Sequence, residues 1–181
     1  MKEIKNALQY AKDAHGSQLR AVGPDTGLPY FDTHVVRVTN AVINWAKAAA
    51  ALHDVVEDTD KTIYDLINTE WFSPETLVAV DLLTHRKGES YDDYISRMLF
   101  GDQWDLDDLL YHYAKDNAVA DDKGLTTDDF LGILSDGRKI ARRVKIADIM
   151  DNVITLPDGP LRRRYLGGLH ALTEKQKLNL E

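Results

Sequence analysis

Apolar residues recur at helical spacing along nearly the whole chain. No run alternates β-branched and polar residues between hairpin turns, so the pattern confines the chain to an all-α fold. The spacing predicts a first helix over Lys2–His15, then a loop containing Gly and Pro up to Tyr30. Asp32 or Thr33 offers an N-cap for a second helix with Val35, Val38, Val42 and Trp45 on one side. Alanines 46 and 48–51 lead into a helix that includes His53 and Glu57, and Thr62 opens a short one with Ile63, Leu66 and Ile67. Ser73-Pro74-Glu75 is a start signal, a cap followed by proline in the first turn, for a helix to about Leu83; another runs from Tyr91 to Phe100.

Residues 101–136 stand apart, with 10 acidic residues against Lys115 and Lys123 alone. Leu106, Leu109, Leu110 and Tyr113 keep helical spacing there, so this stretch reads as an acidic helical insertion. Thr127-Asp128-Asp129 caps a further short helix, a long one covers 136–156, and Pro157-Asp158-Gly159-Pro160 stops it before a last helix and a polar tail. No repeat or low-complexity linker divides the sequence. The whole of 1–181 is expected to be one all-α domain, a length sufficient for a real core.

Charge narrows the partners. The formal net charge is −8, which counts against nucleic acid, because phosphate backbones reward basic surfaces. From Gly137 onward there are 10 Lys plus Arg against 5 Asp plus Glu, leaving 12 against 25 in residues 1–136. A basic C-terminal part beside an acidic body suits a small polyanion, although a solvated helix face explains the counts as well. No stretch is apolar for long enough to span a bilayer, and the N-terminus lacks a signal core. Zero cysteines exclude disulfides and thiolate zinc sites, and a cytoplasmic location is expected.

Three places carry chemistry. In ALHDVVEDT at 51–59, His53 and Glu57 share one helical stripe, and Asp54 and Asp58 share the next. Clustered carboxylates repel one another unless a cation neutralises them. An exposed acidic helix end accounts for this stretch equally well if it is taken alone. His34 lies beside an apolar stripe, where a lone histidine is more often structural. In RRVKIADIMDN at 142–152, Lys145, Asp148 and Asn152 fall within a narrow arc next to Ile146, Ile149 and Val153.

With these residues in place, the sequence resembles the hydrolase domain of the RelA/SpoT alarmone enzymes, above all the stand-alone small hydrolases of the metazoan SpoT type. The resemblance spans roughly residues 5–155 apart from the insertion. It rests on HGSQLR at 15–20, LPYFDTH at 28–34, ALHDVVEDT, GESYDDYISR at 88–97 and VKIADIMDN, in that order. It implies an HD-domain helical bundle with one divalent metal held by His34, His53, Asp54 and Asp148. Two imidazoles and two carboxylates suit manganese, the metal the family favours. Glu57 and Asp58 match the pair that positions and deprotonates the attacking water. Arg20 matches a residue that packs on the purine, Asn152 one that helps hold the substrate, and Lys145 one that faces phosphate. His15 matches a histidine outside the metal shell. The reaction implied is removal of the 3′-pyrophosphate of ppGpp or pppGpp, giving GDP or GTP plus pyrophosphate. The chain ends soon after its last helix, so no synthetase domain is expected.

The sequence departs from the family at three points. Val35 follows His34 where proline is usual. The spacing from Pro29-Tyr30 to His34 is one residue longer than common, which leaves Tyr30 and Phe31 as alternatives for the tyrosine beside the substrate. The third departure is the insertion, whose acids would repel a charged nucleotide near the pocket. Another phosphohydrolase, acting on NADPH or deoxynucleoside triphosphates, is the rival enzyme, and a non-catalytic nucleotide-binding or antitoxin-like module is the rival of another class. The partner expected is a small nucleotide, without nucleic acid or membrane, and a homo-oligomer is compatible with all of these readings.

Overall fold

The computed structural model describes residues 1–100 and 126–178, and every regular element among them is helical. An isolated antiparallel bridge between Leu19 and Pro29 is the one β feature among the described residues. The order is α1 (Lys2–His15), a π-turn (Phe31–Val35), α2 (Val36–Ala41), a 3-10 turn (Asn44–Ala46), α3 (Lys47–Leu52), α4 (Val55–Asp58) and α5 (Ile63–Ile67). There follow α6 (Pro74–Leu83), α7 (Tyr91–Phe100), α8 (Thr127–Thr155) and α9 (Pro160–Leu178).

Local chemistry fixes the helix starts. Ser73 accepts the Thr76 N–H ahead of Pro74, and Thr62 with Asp65 forms a capping box at α5. Seven of the ten residues of α6 are buried, so this helix runs through the core instead of lying on it. It packs on α8 at close range: a Cβ on Gly137 would stand 2.4 Å from Val78 Cγ1, so only glycine lets these helices approach this closely. The alanine run of α3 is buried throughout and lets α1 lie tightly against it. Leu52, Leu66, Ile67, Leu77, Leu82, Leu134, Ile149 and Leu172 fill the interior, each worth roughly 1.5–3 kcal/mol relative to exposure.

Three helical expectations need correction. The short helix from 127–129 and the long one from 136 are a single helix, α8, whose cap is Thr126, with Asp129 completing a capping box. Residues 127–136 are therefore the first turns of the long helix; glycines 132 and 137 are carried inside it because its partners hold it. The remainder of the expected insertion, 101–125, lies outside the described residues. The second helix starts at Val36 behind a π-turn and stops at Ala41, because Val42 is extended. The helix expected from 46 through 57 breaks at His53-Asp54 into α3 and α4.

Candidate metal centre

The loop between α1 and the π-turn folds back on itself. The Arg20 N–H donates to Leu28 O (2.8 Å), and the Tyr30 N–H donates to Gln18 O (2.8 Å). At its tip Gly23, with φ +90°, approaches Thr155 so closely that a Cβ would stand 2.9 Å from the Thr155 Cβ. The loop is thereby pinned to the end of α8, and Arg20 is carried inside, with 5% of its surface exposed.

His34 enters from the π-turn, in which the Val36 N–H reaches back five residues to Phe31 O. An i→i+5 turn takes one more residue than an α-turn, so it absorbs the long spacing after Pro29-Tyr30. Tyr30 then points at the cluster, its hydroxyl donating to Asp54 Oδ2 (2.5 Å) and its ring 5.1 Å from that of His34. Phe31 faces a separate cavity beside α1. Of the two aromatic residues, Tyr30 stands at the site.

Four side chains converge from three segments: His34 from the π-turn, His53 and Asp54 from the junction of α3 and α4, and Asp148 from α8. His34 Nε2 and His53 Nε2 lie 3.2 Å apart. Asp54 Oδ2 stands 3.3 Å from the first and 2.9 Å from the second, and Asp148 Oδ1 stands 3.2 Å and 3.8 Å from them. Ligands at right angles on bonds of about 2.1 Å lie about 3 Å from one another, so these separations match the edges of a coordination shell. Both imidazoles are turned inward by their other nitrogen. His34 Nδ1 lies 2.8 Å from Asp151 Oδ2, and His53 Nδ1 lies 2.8 Å from the Ala50 carbonyl oxygen. A proton on each Nδ1 leaves each Nε2 as a bare donor atom facing the same point. Two imidazole nitrogens and two carboxylates, with no thiolate, fit a divalent metal ion.

Without an ion, protons neutralise the cluster instead. Burial alone would pull His34 and His53 down, but the surrounding carboxylates outweigh it; His34 is held well above its ordinary value and His53 is pushed up to about 9. Burial opposes ionisation of Asp54 and Asp148 too, yet the histidines, and Lys145 beside Asp148, hold both well below the carboxylate range. Two pH effects follow. A histidine raised on folding contributes stability in full below its ordinary 6.5, and that contribution fades as pH rises through about 9. The metal-free protein should therefore lose Tm between pH 6.5 and 9. Metal must displace these protons, so the Tm gain from added manganese should grow over the same window. A gain that does not vary with pH would refute the coupling.

Asp148 is braced on both oxygens. Lys145 Nζ donates to Oδ2 (2.8 Å) and Asn152 Nδ2 to Oδ1 (2.7 Å), while Arg20 Nη2 donates to Asn152 Oδ1 (2.8 Å). Lys145 and Arg20 are thus directed inward. Lys145 Nζ stands 5.0 Å over the Tyr94 ring, and the Arg20 guanidinium stands 5.7 Å over that of Tyr30. Glu57 and Asp58 lie exposed at the mouth. Loss of solvation raises both, and one Glu57 oxygen accepts the His85 backbone N–H (3.0 Å). His15 is buried, its Nδ1 2.7 Å from Gln18 Oε1 and its ring 5.2 Å from that of Tyr30.

Sequence reasoning missed Asp151. It holds His34 and is in turn clamped by Arg37, whose Nε donates to Oδ1 (2.8 Å) while Nη1 pairs with Asp25 of the loop. The signal was available, since Asp151 lies three residues beyond Asp148 on the same helix face. Asp151→Ala should weaken manganese binding by about 10–100-fold, as loss of such supporting carboxylates does. An unchanged Kd in a competition titration with a metal-sensitive dye would show that His34 needs no such brace.

No protein-family model matches the chain. Among solved structures, that of a metazoan ortholog of SpoT, described as hydrolysing ppGpp and playing a role in starvation responses, is similar over 96% of this chain and 85% of its own. The TM-score is 0.57 and the sequence identity 22%. The all-α architecture of this chain is therefore one that a ppGpp-hydrolysing protein also has.

Proposed function

We propose that this protein is an HD-type metal-dependent phosphohydrolase that removes the 3′-pyrophosphate of guanosine alarmones. The observation that carries this reading is the meeting of His34, His53, Asp54 and Asp148 with donor atoms 2.9–3.8 Å apart and Glu57 at the mouth. His34, His53 and Asp148 alone offer three buried ligand atoms within 4.8 Å of one another. The SpoT ortholog supports the choice of substrate, as do the motifs shared with the alarmone hydrolases.

Bound by these four residues, manganese would polarise a phosphoryl oxygen and make a coordinated water more acidic. Glu57 takes the proton of the attacking water, since loss of solvation makes its carboxylate a stronger base than an exposed one and one oxygen stays free of the His85 N–H. Water oxygen bonds to the phosphorus beside the 3′ oxygen, the P–O3′ bond breaks, O3′ takes up a proton from solvent, and GDP and pyrophosphate leave. Asp58, next to Glu57, helps place the water. Tyr30 fixes the orientation of Asp54, while Lys145 and Asn152 fix that of Asp148. Arg20 and Asn152, bonded to each other, form the wall offered to the nucleotide. The stringent response is the physiological setting such a reaction implies.

The deciding experiment is product formation from ppGpp with added manganese, comparing wild type with Asp54→Ala. GDP and pyrophosphate from wild type alone are expected. No turnover by folded, metal-loaded wild type would remove ppGpp as substrate, and NADPH and deoxynucleoside triphosphates in the same assay would then separate a different phosphohydrolase from a binding module.

A further inference from the structure

A second site lies on the other side of the π-turn. A cavity of about 850 Å³ opens between α1, the π-turn and the 3-10 turn, within the size range of small-molecule pockets, and none of its lining residues belongs to the metal cluster. Lys5 and Lys12 come from one face of α1, seven residues apart, and Lys47 comes from the first turn of α3. Trp45, 52% exposed, and Phe31 supply flat apolar surface, and Asn44 supplies an amide.

Three of the four charged side chains that line this cavity are lysines. Lys61, Lys139 and Lys145 each pair with an aspartate, whereas Lys5, Lys12 and Lys47 have no carboxylate partner among the described residues. The one acid in the lining, Glu3, is occupied by the Ser73 backbone N–H (2.9 Å). A protein of net charge −8 thus leaves three ammonium groups unpaired around a single aromatic-walled cavity. Such a combination suits a ligand with several negative charges attached to a flat ring system, because the ammonium groups attract phosphates as point charges and the aromatic faces stack on a base.

We propose that this cavity binds a nucleoside polyphosphate, with the phosphates among Lys5, Lys12 and Lys47 and the base against Trp45. The site is independent of the proposed hydrolytic reaction and needs no metal.

GTP titrated into the full chain in excess EDTA, followed by calorimetry and tryptophan fluorescence, tests it. Saturable binding is expected in wild type, with quenching that disappears in Trp45→Phe. The triple variant Lys5→Gln, Lys12→Gln, Lys47→Gln should bind more weakly by on the order of tenfold. Its unchanged Tm gain with manganese would show that the fold and the cluster are intact. Inorganic tripolyphosphate and guanosine should each bind more weakly than GTP. Lysine acylation of wild type needs no variant: GTP should protect Lys5, Lys12 and Lys47. Absence of saturable binding, equal affinity in the triple variant, no protection of these lysines, or tripolyphosphate binding as tightly as GTP would each overturn the proposal. None of these outcomes bears on ppGpp hydrolysis, which is read separately with manganese present.

Discussion

Glu57→Gln should lower kcat for ppGpp hydrolysis by about 10²–10⁴-fold while leaving manganese affinity unchanged, the range expected when a general base is lost. Glutamine keeps the size of the side chain and can still accept the His85 N–H through its carbonyl oxygen, so the geometry of α4 survives. What disappears is the basic oxygen at the mouth of the cluster. If Glu57 is the base, the acid limb of the kcat/KM profile should be present in wild type and absent in the variant. Turnover within a few-fold of wild type would mean that another group accepts the proton, and Asp58→Asn would be the next variant to assay. A proportional loss of manganese affinity would instead make Glu57 a ligand.

Asp148→Ala should abolish manganese binding and also destabilise the metal-free protein. Lys145 is 12% exposed and Asp148 6%, and the carboxylate is the partner of the buried ammonium. Removing one member of a buried ion pair leaves an uncompensated charge and costs about 3–5 kcal/mol. For a domain of this size each kcal/mol moves Tm by roughly 2–4 °C, so a loss of about 3 kcal/mol lowers it by about 6–12 °C. The double variant Asp148→Ala, Lys145→Met separates the two effects. It should recover most of the Tm, since methionine can pack against Tyr94 without a charge, and recover neither metal binding nor turnover. If the double variant is no more stable than Asp148→Ala, the stranded charge is not the source of the loss.

The helices with strong local signals were legible. Lys2–His15, Pro74–Leu83 and Tyr91–Phe100 stand where periodicity and capping put them, because in each the local preference agrees with what the core requires. The errors fall where tertiary contact overrides local signal. The Thr127-Asp128-Asp129 sequence read as the cap of a separate short helix, but close packing of Gly137 on Val78 holds α8 continuous. The break at His53-Asp54 has no breaker residue to announce it. It coincides with the point where both side chains turn into the cluster.

The candidate site was legible only in part. Spacing placed Asp148, Lys145 and Asn152 on one arc, and all three are linked by hydrogen bonds. That His34 meets them, more than a hundred residues away in sequence, came from the resemblance and not from any local pattern. The Asp151–Arg37–Asp25 chain went unread because it joins three segments and repeats no motif. The inward direction of Arg20 and Lys145 was equally invisible, since sequence gives the position of a charge and not the partner it finds.

The wide turn at Phe31–Val35 bears on how this protein tolerates changes in its length. An additional residue in a helix ordinarily rotates everything beyond it by about a hundred degrees, since 3.6 residues make a turn. Here the surplus is consumed inside a single turn, so Val36 resumes the standard winding and the buried faces of Val35 and Val38 keep their aim. The segment works as a slack loop in an otherwise taut rod. Loss of one residue between Tyr30 and His34 would turn the wide turn into an ordinary α-turn, and the winding from Val36 onward would keep its register.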